Sequence, residues 1–164
     1  MTIQLGRHFG KSIELLVLKE GGYMHCLLLE NNSSSHMALV QREACRLIRI
    51  FDAKPFIVGC SENCGRVARR VTTYSGSADL RCWCDKCDPG DGYGKIVAVN
   101  SYADAMRHAY FTCNGRRENI SRIILNLARA KGLPDRVGET EAWNFFTATM
   151  GNESDRCPTP PESN

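Results

Sequence analysis

Long hydrophobic runs are missing from this chain of 164 residues. The longest candidate, residues 23–29, contains His25 and falls well short of the roughly 18 apolar residues a spanning helix needs, so no membrane segment is expected. A secretory signal is missing too: Arg7 and Lys11 come early, but no apolar segment with a small-residue cleavage site accompanies them. The expected location is therefore cytoplasmic or nucleoid-associated, and not secreted. Charge of one sign is also scarce. Lys and Arg number 21 against 18 Asp and Glu, and the net charge of +3 is not the footprint of a strongly basic nucleic-acid binder. Any such surface must arise from local clustering.

Motifs for catalysis are lacking as well. None of His8, His25, His36 and His108 stands in an HExxH motif or at a spacing that suggests a triad, and neither a Walker loop nor a dinucleotide fingerprint occurs. His8 with Lys11 is the only pair that suggests phosphate chemistry, so a noncatalytic protein is expected, with a nuclease or redox enzyme as the remote alternative. An apolar content of 43% with 24% charged residues is ordinary for a globular protein and excludes wholesale disorder.

Cysteine, by contrast, is plentiful, with nine residues. In a reducing compartment, clustered cysteines are more often metal ligands than disulfides. Cys60-x3-Cys64 and Cys84-x2-Cys87 are two short-range thiol pairs separated by a hairpin-length segment, the layout of a zinc ribbon. Zn2+ favours four tetrahedral ligands, and a closed four-thiolate site leaves no position for a reactive water, so the expected metal is structural. Cys82 competes, because Cys82-Trp83-Cys84 puts Cys82 and Cys84 on one face of a regular strand. Two alternatives remain: small buried thiols, or a redox pair. Against the latter, Cys84-Asp85-Lys86-Cys87 follows a strand and does not open a helix, whose N-terminus would acidify a thiol. Cys26, Cys45 and Cys113 lie among helical apolar residues and are expected in the core, and Cys157 in an exposed tail.

The patterning predicts an α+β fold with N-terminal helices over residues 1–53, a zinc-ribbon-like β-hairpin segment over 54–100, C-terminal helices over 101–150 and a disordered tail over 151–164. Ser12 caps a first helix stopped by Gly21-Gly22, a second covers 23–30, and a third covers 36–51 with Val40, Ala44, Leu47, Ile48 and Phe51 as its apolar stripe. Strands are expected at 56–58, 66–74, 79–83 and 95–99, with Ser75-Gly76-Ser77 as a hairpin turn. Ser101 with Asp104 forms a capping-box-like start to a helix reaching Thr112. Further helices are expected over 120–131, stopped by Gly132 and Pro134, and over 139–150.

The run Leu5-Gly6-Arg7-His8-Phe9-Gly10-Lys11, followed by Ser12-Ile13-Glu14-Leu15 and by Gly22-Tyr23-Met24-His25-Cys26-Leu27-Leu28, resembles the small accessory module at the C-terminus of exonuclease X-type DNA exonucleases. That family's pattern is approximately FGKxxGK, a capped helix, then Pro-x-Tyr-Leu-x-Trp-Leu. Here Leu5 stands for the phenylalanine, Arg7 for the first lysine, Gly21 or Gly22 for the proline region and Cys26 for the tryptophan, and the likeness extends over residues 5–51. It implies a DNA-linked accessory module and not catalysis, since that family's acidic nuclease domain is not in this sequence.

Basic residues cluster in three places. Arg7, His8 and Lys11 share the first glycine-bounded loop, where backbone donors and cations can meet phosphate. In the ribbon segment, Arg66, Arg69, Arg70, Arg81 and Lys86 outnumber Glu62, Asp79 and Asp85, with Tyr74 and Trp83 among them, a mixture suited to phosphate contact with base stacking. Strand alternation, however, splits Arg66 and Arg70 from Arg69, and a solvated hairpin explains the same charges nearly as well. Arg116 and Arg117 form a third group before a helix. The leading expectation is a zinc-stabilised protein that binds DNA or RNA. A protein-interaction adaptor or inhibitor, with a purely structural zinc, is the alternative.

Overall fold

The computed structural model describes residues 2–3, 8–29, 35–113 and 115–148. It is α+β, with six α-helices and one three-stranded antiparallel sheet among the described residues. The chain first folds back on itself. Ile3 N donates to Lys11 O at 3.0 Å, and Gly10 N donates to Ile3 O at 3.0 Å, which closes the expected turn; Arg7 lies outside the described residues, as does the predicted tail with Cys157. Ser12 then caps helix α1 (Ile13–Lys19) by accepting from Leu15 N at 3.2 Å.

Helix α1 is short but central. Ile13, Leu16, Val17 and Leu18 are all fully buried, because α1 packs against α2 (Gly21–Leu29), α3 (Ser35–Ala53), α5 (Arg117–Ala130) and α6 (Glu139–Thr147). A seven-residue helix has little stability of its own, so these neighbours hold it. Helix α4 (Tyr102–Thr112) starts with the anticipated capping box: Ser101 Oγ accepts from Asp104 N at 3.1 Å, and Asp104 Oδ2 accepts from Ser101 N at 3.2 Å. Tyr102 then ties three elements together. Its hydroxyl donates to Val17 O at 2.8 Å, its amide donates to Asp52 Oδ1 at 2.7 Å, and its ring meets the edge of Phe51. Among the described residues, no helix is long and apolar enough to cross a membrane.

Three local expectations are corrected. Gly21 and Gly22 do not stop α1; they open α2, and Glu20 ends the first helix. The reason is packing, since a Cβ on Gly21 would lie 2.5 Å from Ile120 Cγ2 and 2.6 Å from Ile124 Cδ1 on α5. Residues 56–58 do not form a strand either. Ile57 N is taken by Ala130 O at 2.9 Å, so this segment is anchored to the end of α5. The strand predicted over 66–74 begins only at Arg70; residues 66–68 turn back towards 58–60 instead, through Cys60 N to Arg66 O at 2.8 Å and Ala68 N to Val58 O at 2.9 Å.

Strand β1 (Arg70–Tyr74) is flanked by β2 (Arg81–Trp83) and β3 (Ile96–Ala98), in the order β2-β1-β3. The Ser75-Gly76-Ser77 turn joins the first pair, with Ser77 N donating to Tyr74 O at 2.9 Å and Gly76 at φ 82°. Buried His108 on α4 fastens this turn to the helices. Its Nε2 lies 2.7 Å from Ser77 O, and a carbonyl can only accept, so Nε2 carries the proton. Val71 and Val99 carry the sheet into the core shared by the helices.

The two glycines of α2 should behave differently on substitution. Gly21→Ala meets branched isoleucine atoms and should lower stability by about 1–2 kcal/mol, overpacking outweighing the helix-propensity gain. Gly22→Ala faces only the flexible Arg117 stem, 3.1 Å away at Cγ, and should be neutral or stabilising. Urea midpoints of the two variants compare them directly.

Candidate metal centre

Two backbone loops bring four thiols together. The first carries Cys60 and Cys64 and is closed by Asn63 N donating to Cys60 O at 3.0 Å; Asn63 at φ 52° and Gly65 at φ 75° give it its left-handed bends. The second follows β2, where Cys87 N and Asp88 N both donate to Cys84 O at 3.1 Å. A bond from Ser61 N to Cys82 O at 2.7 Å and one from Cys82 N to Ser61 Oγ at 2.9 Å hold the loops side by side. As a result, the Sγ atoms of Cys60, Cys64, Cys84 and Cys87 all lie within 4.8 Å of one another, and those of Cys64 and Cys84 are 3.5 Å apart. Metal–sulfur bonds of about 2.3 Å in a tetrahedron separate sulfurs by a little under 4 Å, so the group fits one tetrahedral ion.

The electrostatics prepare the cluster for a cation. At Cys84 burial opposes ionisation, but the amides of Lys86 and Cys87 and the thiols of Cys64 and Cys87 outweigh it and bring the thiol down to about 6. Cys87 is pushed up to about 12, chiefly through its hydrogen bonds with Cys64 and Cys84. Cys84 and Cys87 are thus pulled in opposite directions; a divalent ion bound by deprotonated sulfurs would remove that conflict. Cys82 lies outside the group. It is paired with Val71 in the sheet, two residues before Cys84, and burial foremost, then the charge of Cys60, pushes its thiol up.

Beside the cluster opens a cleft of about 650 Å³, lined by Arg66, Val67, Arg69, Cys84, Asp85 and Lys86. Arg69 Nε is 3.5 Å from Asp85 Oδ2, an exposed pair that is easily exchanged for another anion. Among the described residues, Arg66 and Lys86 have no ion-pair partner. The other basic candidates are placed elsewhere. Arg70 is half-buried and bound to Asp88 at 2.8 Å and Asp91 at 2.7 Å, so it braces the loop after the second cysteine pair. Arg81 is exposed on β2; Arg116 and Arg117 are exposed at the start of α5, and none of the three lines the cleft. His8 is buried with its ring 4.5 Å from that of Tyr23, and Lys11 pairs with Glu20 at 3.6 Å.

The chain matches no family model, no curated protein and no solved structure. Its own geometry therefore carries the functional argument. Trp83 is buried, with its indole N–H donating to Thr72 Oγ1 at 2.7 Å, and is not open to a base. Cys113 is in the core as expected, whereas Cys45 is half-buried and Cys26 exposed on the outer side of α2. Val67 is 56% exposed and belongs to the cleft, which the alternation of arginine with apolar residues had suggested only as a strand pattern.

Native mass spectrometry should find one metal ion per chain. Serine at any one of Cys60, Cys64, Cys84 or Cys87 should abolish or sharply weaken retention, while Cys82→Ser should keep the full complement.

Proposed function

We propose that this chain is a noncatalytic, zinc-stabilised accessory protein that binds nucleic acid through the ribbon segment. The observation that supports this most directly is the cationic cleft against Cys84, where Arg66, Arg69 and Lys86 face a single carboxylate. Arginine and lysine converging on one open cleft suit successive phosphates. The resemblance of residues 5–51 to the exonuclease X accessory module points to the same class and puts DNA first among the substrates.

Zinc is the metal we assign to the four thiols. A four-sulfur tetrahedron accepts zinc or iron, and zinc serves a purely structural role without redox chemistry. Structural zinc in small domains supplies on the order of 10–16 kcal/mol of folding free energy, enough to order loops with so little core beneath them. Cys60, Cys64, Cys84 and Cys87 would hold it.

One observation favours the adaptor reading. A largely apolar groove of about 350 Å³ lies between α2, α3 and α4, lined by His25, Leu28, Ile48, Met106 and Tyr110, with Phe111 exposed at its edge. Its occupant would be a protein, held by apolar contact and indifferent to salt.

Salt separates the two. Three phosphate contacts on a single strand give a log–log salt slope of about −2, and the triple substitution Arg66→Glu, Arg69→Glu, Lys86→Glu should abolish binding while zinc content stays at one per chain. Arg70→Glu should instead disturb metal retention, since Asp88 and Asp91 lose their shared cation. Oligonucleotide retention unchanged by salt and by the triple substitution would reject the nucleic-acid reading in favour of the adaptor.

A further inference from the structure

The cationic cleft does not end at its arginines. A second cleft of about 370 Å³ adjoins it, lined by Pro55, Phe56, Val67, Ala68 and Arg69. Val67 and Arg69 belong to both, so the two are compartments of one groove. Their chemistry differs. The first presents Arg66, Arg69 and Lys86, and the second presents a proline, a half-buried phenylalanine ring and aliphatic side chains, with Arg69 on the boundary. The apolar wall is firmly placed. Ile57 N is bonded to Ala130 O, buried Lys131 Nζ sits 4.6 Å from the Phe56 ring centre and donates to Lys54 O at 2.6 Å, and Ala68 N bonds Val58 O.

Resting on the nucleic-acid reading above, we propose that the groove is specific for an unpaired strand, with backbone phosphates along Arg66, Arg69 and Lys86 and a base against Phe56, Pro55 and Val67. A duplex offers phosphates to the first compartment but nothing to the second, because its bases are stacked and their edges lie within the grooves of the helix. A single strand offers both at the spacing of one nucleotide, and a splayed base gains contact with an aromatic ring whatever its identity. The charge complementarity of the first compartment identifies the occupant as a polyanion, and the apolar second compartment identifies it as one with exposed rings. DNA and RNA strands share this chemistry, and binding of each decides between them.

The test compares a labelled DNA oligonucleotide, an RNA of the same sequence and the matching DNA duplex, titrated against the zinc-loaded full chain by fluorescence anisotropy. The single strand should bind at least about tenfold tighter than the duplex. Phe56→Leu, which keeps an apolar side chain but removes the ring, and Val67→Ser, on an exposed position, each check the base compartment. Each should weaken single-strand binding about fivefold or more, leaving duplex binding within about twofold and zinc content unchanged. Equal or tighter duplex binding, or equal losses on both substrates, would overturn the single-strand proposal while leaving the cationic cleft intact. Binding of neither substrate would overturn both readings.

Discussion

A sheet whose outer strands are three residues long cannot hold itself together. Two of its three strands are that short, and only Val71, Thr72 and Thr73 of β1 are fully buried in sequence. The remedy is fixation at both ends. At the hairpin end His108 grips Ser77 O in the turn between β1 and β2, while Val71 and Val99 enter the helical core from the opposite end of β1. At that opposite end, beside buried Trp83, four thiols converge. The Arg70 brace to Asp88 and Asp91 and the cleft beside Cys84 lie at that thiol end.

The helices are built around a different solution. α1 is too short to persist alone, yet its four fully buried apolar side chains are covered from several sides by elements before and after the sheet. Close approach of α2 to α5 requires a glycine at position 21, and Lys131 supplies its ammonium to the carbonyls of Asp52 and Lys54 at the end of α3. Burial holds the Lys131 pKa below its ordinary value, against the pull of Asp52. Its ammonium also lies over the rings of Phe51 and Phe56, so one buried lysine connects the helical core to the segment that leads into the first cysteine loop.

What was legible in the sequence was local. The Ser12 cap, the Ser101–Asp104 box, the hairpin turn at Ser75-Gly76-Ser77 and each of the two short-range thiol pairs are set by neighbours a few residues apart. What was illegible depended on partners far away in the chain. Gly21 and Gly22 look like a helix stop until Ile120 and Arg117 are placed beside them. Arg70 reads as one of several surface cations until Asp88 and Asp91 fold over it, and Trp83 as a stacking platform until Thr72 takes its N–H. Adjacency groups His8 with Arg7 and Lys11, but packing turns its ring towards Tyr23. The second compartment of the groove is not legible in the sequence, because Pro55 and Phe56 precede the first cysteine pair while Val67 and Ala68 follow it.

Cys84 belongs to two structures at once, since its sulfur is part of the thiol tetrahedron and its residue forms a wall of the cationic cleft. Occupants of the two sites would therefore share one residue. Any ligand whose affinity for the cleft depended on a metal at the thiols would in turn change metal affinity by the same factor, because linkage is reciprocal. On the proposed function, the shared position of Cys84 would make the state of the thiol cluster felt at the cleft.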